Sequence, residues 1–528
     1  MKIDKKEINK LYIACRDSFK EHYALLRETD DDKLFLIEAL ECEQCANTIS
    51  LCLELFYEFL DSPAVETSCR SILEARSLLK MVYAGDLDDE QIANFKHQSA
   101  LLFYGNIFET GNHETERLLT EEQDIAMRKK IHWIVEDYER ALEAYKRKYG
   151  SKFDESASRV ATWDSLFFTS DDPSRKKRQT FTKLFNKYMK DIEGSEAMYN
   201  RVSFFAHPWF VDNLRDFSSI TIARQRDVML CLGVAEEVFA ARMNAIPDDA
   251  DGIEPDLAAI GYDMEKGKAI SSACFGLFDM AIGSNGHMSY TALCMRFLNH
   301  ILFEMNVLNG LGYYEIALSK FQTVSELWGI NGLINSTKDI STWKAIQQAF
   351  DYSTRIQLQK LSTTRGIFKD IPLEGQDSLK AAYDASPYKA AISFDEYANG
   401  IEKNSFSFLC PFYPEDGTTF LDLARAASNK TFLPNRPNRS KDFMLAYFFS
   451  IDVHHATGFC YTENRDCWAL LSHEALIGIY ESLLVFAMLA GTSSDKAALA
   501  VRPVIQGITK LVDEEQTELN RLLLKYPE

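Results

Sequence analysis

Hydrophobic residues recur every three to four positions along most of the chain, which is the spacing of one face of an α-helix. Acidic residues that favour helix starts precede several of these segments, for example Asp30, Asp31 and Asp32 before the second one. Glycine (24) and proline (13) are scarce among the 528 residues, which favours long helices with few tight turns. The pattern therefore predicts an all-α fold. The predicted helices cover residues 4–29, 32–60, 63–84, 88–108, 120–149, 174–192, 195–207 and 218–245, then 265–283, 287–309, 312–328, 340–361, 376–386, 440–456, 465–491 and 494–524.

A short acidic segment near the middle of the chain marks the clearest boundary in the sequence. Residues 247–255 hold two prolines, one glycine and four acids, a composition that predicts no helix. A chain of 528 residues also exceeds the usual size of one core. We therefore expect two helical-bundle domains, residues 1–246 and 258–528, joined by a linker at 247–257. The second domain is expected to carry an irregular insertion at 404–439, which is richer in Pro, Asn and Gly.

Polar residues recur at similar positions in the two halves, which indicates an internal duplication. Ser203 and His207 have counterparts in Ser450 and His454, and each pair is followed by a long apolar helix. The second copy has a phenylalanine where the first has Arg201. The pattern predicts two diverged copies of one helical unit, of which the first holds the fuller polar set. Chance similarity between two helical halves is the alternative.

Charge and composition limit the classes of partner. The net charge of −20 argues against broad binding to nucleic acid or to anionic lipid, since phosphate contacts need clustered Lys and Arg. The most basic stretches, Lys146–Lys152 and Arg175–Arg178, fit solvated helix ends, and a local basic groove stays open. The chain shows no apolar signal core and no membrane-length apolar run. Most of the 11 cysteines fall in apolar helical pattern, which is typical of buried thiols in a reducing compartment, so we expect a cytoplasmic protein without membrane contact.

The densest polar stretch runs from Tyr199 to Pro208. Tyr199, Ser203 and His207 follow one another at four-residue intervals, which places them on one face of a helix. Pro208 disfavours helical geometry at the residue before it, so His207 is expected in the last turn. The stretch therefore predicts a polar site, without fixing its chemistry.

Arg70 and Glu74 are one helical turn apart among apolar neighbours. A buried pair of this kind needs further polar partners to offset the loss of hydration. Ser203 and His207 are the expected partners from the other helix. The four residues can be interpreted as a buried structural network that holds two helices in register, or as a catalytic or ligand-binding site.

Arg201 and His207 have five residues between them, a spacing that resembles the Arg-x(4–6)-His signature of the HEPN superfamily. The wider pattern of Arg-x-x-x-Glu followed by Tyr-x-x-x-Ser-x-x-x-His-Pro also resembles a family of largely uncharacterised bacterial helical proteins. The resemblance covers residues 35–245 and, weakly, the second half. It implies an all-α domain, and in many HEPN proteins a metal-independent ribonuclease whose motif is paired across a dimer.

The resemblance also implies roles for individual residues. His207 would act as general base or acid on a ribose hydroxyl or leaving oxygen, because a histidine pKa lies near working pH. Arg201 would stabilise charge on the phosphate as a bidentate donor. Tyr199, Asn200 and Ser203 would orient these groups. RNA is then the expected substrate, and a role in phage defence follows by analogy of fold alone.

Other chemistry finds little support in the sequence. Cys42, Cys45 and Cys52 lack a second ligand pair at zinc spacing, and His300 on an apolar helix is typical of a core histidine. Nucleotide-binding glycine loops and serine-hydrolase elbows do not occur. We therefore expect no metal and no cofactor. The alternative to a ribonuclease is a non-catalytic interaction or scaffold protein that binds a second copy or another protein. An accessible Arg201 and His207 would favour catalysis, and buried, fully bonded side chains would favour the scaffold.

Overall fold

The computed structural model of the chain is built from helices. It describes residues 4–57, 63–87, 181–192, 194–205, 218–260, 290–321, 465–491 and 495–523, with a few single residues between them. Within this part, 87% is helical and no strand is formed, which confirms the all-α prediction. The described helices are α1 (Lys5–Glu28), α2 (Asp32–Phe56), α3 (Pro63–Tyr83), α4 (Phe181–Tyr188), α5 (Ser195–Phe205), α6 (Ser218–Met243), α7 (Ile253–Ala259), α8 (Tyr290–Leu311), α9 (314–321), α10 (Arg465–Gly491) and α11 (Asp495–Leu523).

Helix α2 lies inside the bundle, between α1 and α3 and in contact with α8. It begins where the sequence predicts, because the Asp31 carboxylate accepts a hydrogen bond of 2.7 Å from the Leu34 amide and caps the helix. Every residue from Cys42 to Phe56 is buried. Polar side chains of a helix buried on all faces need other polar groups as partners. Ser50 and Glu54 of α2 find such partners on α3, α8 and α9.

Helix α3 carries Arg70 and Glu74 and receives α4, α5 and α6 on its surface. Lys80 near the end of α3 pairs with Asp191 after α4 at 2.8 Å. The turn that leads from α4 into α5 is thereby fixed to α3. The contacts set the position of α5, which carries Tyr199, Arg201 and Ser203.

The second half contributes α8 to α11 to the described part of the chain. Helix α10 packs against α11 and α8, and α8 also contacts α2 and α3. Contacts therefore cross the predicted domain boundary. That boundary and the internal duplication stay predictions. The remaining predicted helices and the insertion at 404–439 lie wholly or mostly outside the described residues, as do Ser450 and His454.

Helix α7 corrects the sequence prediction for the acidic segment, because the last three residues of that segment are helical. Pro255 lies in the first turn of α7, where the missing amide hydrogen costs little. Ile253 and Leu257 are buried one turn apart. The Asp256 carboxylate accepts hydrogen bonds from Tyr12 at 2.9 Å and from Arg16 at 2.8 Å, both on α1. Packing against α1 thus overrides the local composition.

The structure also bears on the predictions for the cysteines, for His300 and for membrane-spanning helices. Cys15, Cys42, Cys45, Cys52, Cys69 and Cys231 are free and buried, as predicted. His300 is also buried, which agrees with a core histidine. Within the described ranges, no helix combines the length and the apolar character needed to cross a membrane.

Gly85 ends α3 in a left-handed conformation with φ of 72°. Its amide and that of Asp86 donate back to the carbonyls of Val82 and Met81, which closes the helix. A Cβ at Gly85 would meet no atom within 4 Å, so only backbone strain would oppose alanine. We expect Gly85→Ala to lower the free energy of unfolding by about 1 kcal/mol.

Urea denaturation measures this effect, with Gly507→Ala as the matched control. Gly507 lies inside α11 with open space around its Cβ position. Alanine there should raise the free energy of unfolding by about 0.5–1 kcal/mol because it favours helix. Equal effects at the two glycines would contradict the assignment of strain to Gly85.

Candidate functional site

Arg201 lies on α5 and forms a bidentate ion pair with Asp227 of α6. Its Nε and Nη2 atoms donate to the two Asp227 oxygens at 2.7 and 2.6 Å. The Arg201 side chain keeps 15% of its surface exposed, whereas Asp227 keeps 2%. Nη1 makes no hydrogen bond that the described residues account for. One edge of the guanidinium is therefore held by the carboxylate, and the other edge is left for a further acceptor.

Burial and Arg201 have opposite effects on Asp227. Burial raises the pKa of this carboxyl above its ordinary value, and the Arg201 guanidinium opposes that shift. A bidentate arginine is the partner that best compensates a buried carboxylate, since two parallel charge-assisted hydrogen bonds form at once. Asp227 therefore acts as the fixed support that orients Arg201.

Arg70, Glu74 and Tyr199 form a second, separate group between α3 and α5. Arg70 Nε donates to Glu74 Oε1 at 3.0 Å, and the Tyr199 hydroxyl donates to the same oxygen at 2.6 Å. Glu74 is completely buried, and Tyr199 stacks on Phe185 of α4 with ring centroids 4.5 Å apart. This group joins α3, α4 and α5, which is the arrangement expected of a structural network.

The pKa shifts in this second group follow from burial. Burial raises the pKa of Tyr199 well above its ordinary value, and the Glu74 charge adds to the increase. Burial alone would lower the pKa of Arg70, but Glu74 and Tyr199 together raise it. The tyrosine thus stays neutral and the arginine stays charged, so neither group is suited to proton transfer near neutral pH.

The two groups lie on different sides of α5. Tyr199 and Arg201 are two positions apart, which on a helix separates their side chains by about 200°. Tyr199 accordingly contacts α3, and Arg201 contacts α6. Among the described candidates, Arg201 is therefore separate from the group of Arg70, Glu74 and Tyr199.

Ser203 and His207 complete the candidate set. The Ser203 hydroxyl is buried. Burial raises the pKa of Tyr199, and the nearby Ser203 opposes part of that increase. The described contact from α5 to Glu74 comes from Tyr199, which shares the predicted face with Ser203, whereas the Ser203 hydroxyl makes no hydrogen bond there. His207 lies outside the described residues, so its distance from Arg201 stays a prediction.

Comparison with protein-family models, curated proteins and solved structures gives no match for this chain. The HEPN resemblance therefore rests on the spacing of Arg201 and His207. It stays a prediction.

Sequence reasoning missed the acidic partners of two arginines at α6. Asp227 supports Arg201, and one turn earlier Arg224 pairs with Glu66 of α3, both 2% exposed. Burial raises the pKa of Glu66 to about 7, and Arg224 opposes the increase. A signal was present, because Arg224 and Asp227 are charged residues one turn apart in a helix with many apolar positions. It marks the face of α6 that meets α3 and α5.

Metal binding finds no support within the described ranges. No group of three or more His, Cys, Asp and Glu side chains there is arranged to hold an ion. Cys42, Cys45 and Cys52 are buried along α2, and burial raises the pKa of each thiol. These cysteines serve as core residues.

Proposed function

We propose that the chain is a metal-independent, HEPN-like ribonuclease whose site is formed by Arg201 and His207. The observation that carries the proposal is the orientation of Arg201. Asp227 holds one edge of its guanidinium by two hydrogen bonds, and 15% of the side chain stays exposed. An arginine fixed in this way loses little conformational freedom when it binds a phosphate.

The proposed roles follow from the chemistry of the two side chains. Arg201 donates from its free edge to the phosphate oxygens and stabilises the charge that develops on them. His207 takes the proton of the ribose 2′-hydroxyl or supplies one to the leaving oxygen. Asp227 is a positioning residue, since it touches Arg201 and not the phosphate. The products would carry a 2′,3′-cyclic phosphate.

The separation of Arg201 from the other described candidates supports a catalytic role for Arg201. Arg70, Glu74 and Tyr199 are occupied with one another in the interior, so they would support α5 rather than act on substrate. RNA binding by a chain of net charge −20 would require a local basic groove or a second copy.

The Arg201→Lys substitution tests the proposal. Lysine keeps the positive charge but cannot form the bidentate contact with Asp227 or with phosphate. We expect cleavage of single-stranded RNA in the presence of a metal chelator to fall roughly 10²–10³-fold. Fluorescent RNA oligonucleotides of mixed sequence provide the measurement.

Arg242→Lys is the matched control. Arg242 lies on α6 and pairs in bidentate fashion with Glu21 of α1, but 42% and 58% of these two side chains are exposed. This variant should cleave RNA like the wild type. Equal rates in the wild type and Arg201→Lys, or no cleavage by the wild type, would overturn the proposal.

A non-catalytic scaffold is the second candidate. The ion pair with Asp227 favours this function, because a carboxylate with 2% exposure neutralises the charge of Arg201 inside the protein. In that case Arg201→Lys changes the free energy of unfolding and no cleavage is seen in any variant. The same measurements thus separate the two functions.

A further inference from the structure

A cluster of five buried polar residues joins four helices away from Arg201. We call it the buried carboxyl cluster. It is formed by Ser50 and Glu54 of α2, Ser68 of α3, Glu304 of α8 and Lys320 of α9. None of the five exceeds 2% exposure. The cluster thus connects helices that lie more than two hundred residues apart in the sequence.

Hydrogen bonds and ion pairs hold the cluster together. Lys320 Nζ lies 3.1 Å from Glu304 Oε1 and 3.5 Å from Glu54 Oε1. The Ser68 hydroxyl lies 3.1 Å from Glu54 Oε1 and also contacts Lys320. Ser50 donates to Glu304. One ammonium therefore serves two carboxyl groups.

The charges of the cluster do not balance if every group is ionised. Two carboxylates and one ammonium leave a net negative charge in a site without exposed surface, which is costly. In addition, the Oε2 atoms of Glu54 and Glu304 receive no hydrogen bond among the described residues. One proton placed between the two carboxyls would cancel the charge and supply the missing donor.

We propose that Glu54 and Glu304 share one proton and, with Lys320, form a pH-sensitive clasp between α2–α3 and α8–α9. With the proton in place the cluster is neutral and the helices are held together. Loss of the proton leaves one buried negative charge, which weakens the contact. The proton goes to solvent, and no other reactant is needed.

Other titratable groups around Glu54 do not replace this proton. Cys52 of α2 and Cys69 of α3 have thiol pKa values raised by burial and hydrogen bonding, so they stay neutral. Lys320 is the cation that lowers the pKa of Glu54, while burial and then Glu304 raise it well above the ordinary value. Glu43 lies about three turns earlier on α2. Burial raises its pKa to about 8, and it accepts a hydrogen bond from Asn47 outside the cluster.

The direction of the pH dependence follows from the raised pKa of Glu54. Between the ordinary glutamate pKa and the raised value in the folded state, the folded chain holds a proton that the unfolded chain has lost. Stability from the cluster is therefore full below that window and falls as the pH rises through it. The unfolding equilibrium constant should rise by up to tenfold per pH unit from this proton.

The Glu54→Gln substitution tests the clasp. Glutamine keeps the shape of the protonated acid, and its amide can donate to Glu304 in place of the shared proton. Urea denaturation followed by circular dichroism, from about pH 5 to pH 9, gives the slope against pH. In the variant, the unfolding equilibrium constant should lose the increase of up to tenfold per pH unit that the shared proton gives the wild type. The variant should be as stable as the wild type, or more stable, at the alkaline end.

A second variant and a control make the test decisive. Glu304→Gln should reduce the slope equally, because either glutamine removes the shared proton. Glu28→Gln, exposed on α1, should leave the slope unchanged. Two glutamine variants with the wild-type slope would overturn the proposal, as would failure of both to fold at the acidic end, where glutamine should imitate the protonated side chain.

Discussion

The His207→Ala substitution should reduce RNA cleavage by roughly 10²–10⁴-fold, which is the usual contribution of a general acid or base. His207 follows α5, whose Arg201 is oriented by Asp227 at 2.7 and 2.6 Å. Alanine removes the imidazole and leaves that ion pair in place, so phosphate binding should persist. The loss should therefore appear in kcat rather than in KM. Single-turnover cleavage of a fluorescent RNA at several RNA concentrations gives both constants.

His454→Ala provides the matched control for this experiment. The sequence places His454 in the same relation to Ser450 as His207 has to Ser203, but with a phenylalanine at the position of Arg201. We expect the His454 variant to keep wild-type cleavage. A similar loss in both variants, or a large drop in melting temperature for His207→Ala without any cleavage by the wild type, would contradict catalysis by His207.

The pH profile of cleavage offers an independent check on the same role. A histidine that acts as base must be neutral, so cleavage should rise with pH through the ordinary histidine range of about 6.5. The profile of His207→Ala should lack that limb. Asp227 is not expected to produce it, since Arg201 keeps this buried carboxylate paired.

Helices α1, α2 and α3 show how much of the fold the sequence determines locally. Their observed bounds lie within a few residues of the predictions, because apolar periodicity and capping acids such as Asp31 act over short distances. Helix α7 escaped prediction because its stability comes from α1, through Asp256. Local composition cannot report a contact with a helix more than two hundred residues away.

The candidate site was predictable to a smaller extent. The sequence indicated that Arg70 and Glu74 form a buried pair that needs a partner on α5, and the structure confirms the pair. It indicated the face of Tyr199 and favoured Ser203 and His207 on that face, whereas the described contact comes from Tyr199. Tyr199 and Ser203 lie on one face of α5, so the choice between them depends on how far α5 is shifted along α3. That shift is set by tertiary packing, including the contact of Lys80 with Asp191.

The buried polar face of α2 is recognisable in the sequence as a polar stripe. Glu43, Asn47, Ser50 and Glu54 follow at intervals of four, three and four residues, which is helical spacing for a polar stripe. The apolar residues around them are typical of an ordinary core helix. Polar residues at such spacing in a helix that is otherwise apolar indicate an internal network rather than a solvent face.

Replacing Glu74 by alanine should lower the free energy of unfolding by about 3–5 kcal/mol. Glu74 Oε1 accepts from both Arg70 and Tyr199 in a fully buried position. Its removal leaves the Arg70 charge without this carboxylate and leaves a cavity between α3 and α5. Glu74→Gln should cost less, because the amide keeps the volume and one acceptor oxygen. Urea denaturation gives the differences.

The exposed pair of Glu143 and Arg147 is the matched control for that experiment. It has the same residue types one helical turn apart, with 75% and 76% of the side chains exposed. Glu143→Ala should change the free energy of unfolding by less than about 0.5 kcal/mol. The double variant Arg70→Met with Glu74→Leu should recover much of the stability lost in Glu74→Ala, because it removes the buried charge together with its partner. If Glu74→Ala cost no more than Glu143→Ala, the Arg70–Glu74–Tyr199 group would not hold α5 on α3, and its residues would again be open to a role in the chemistry.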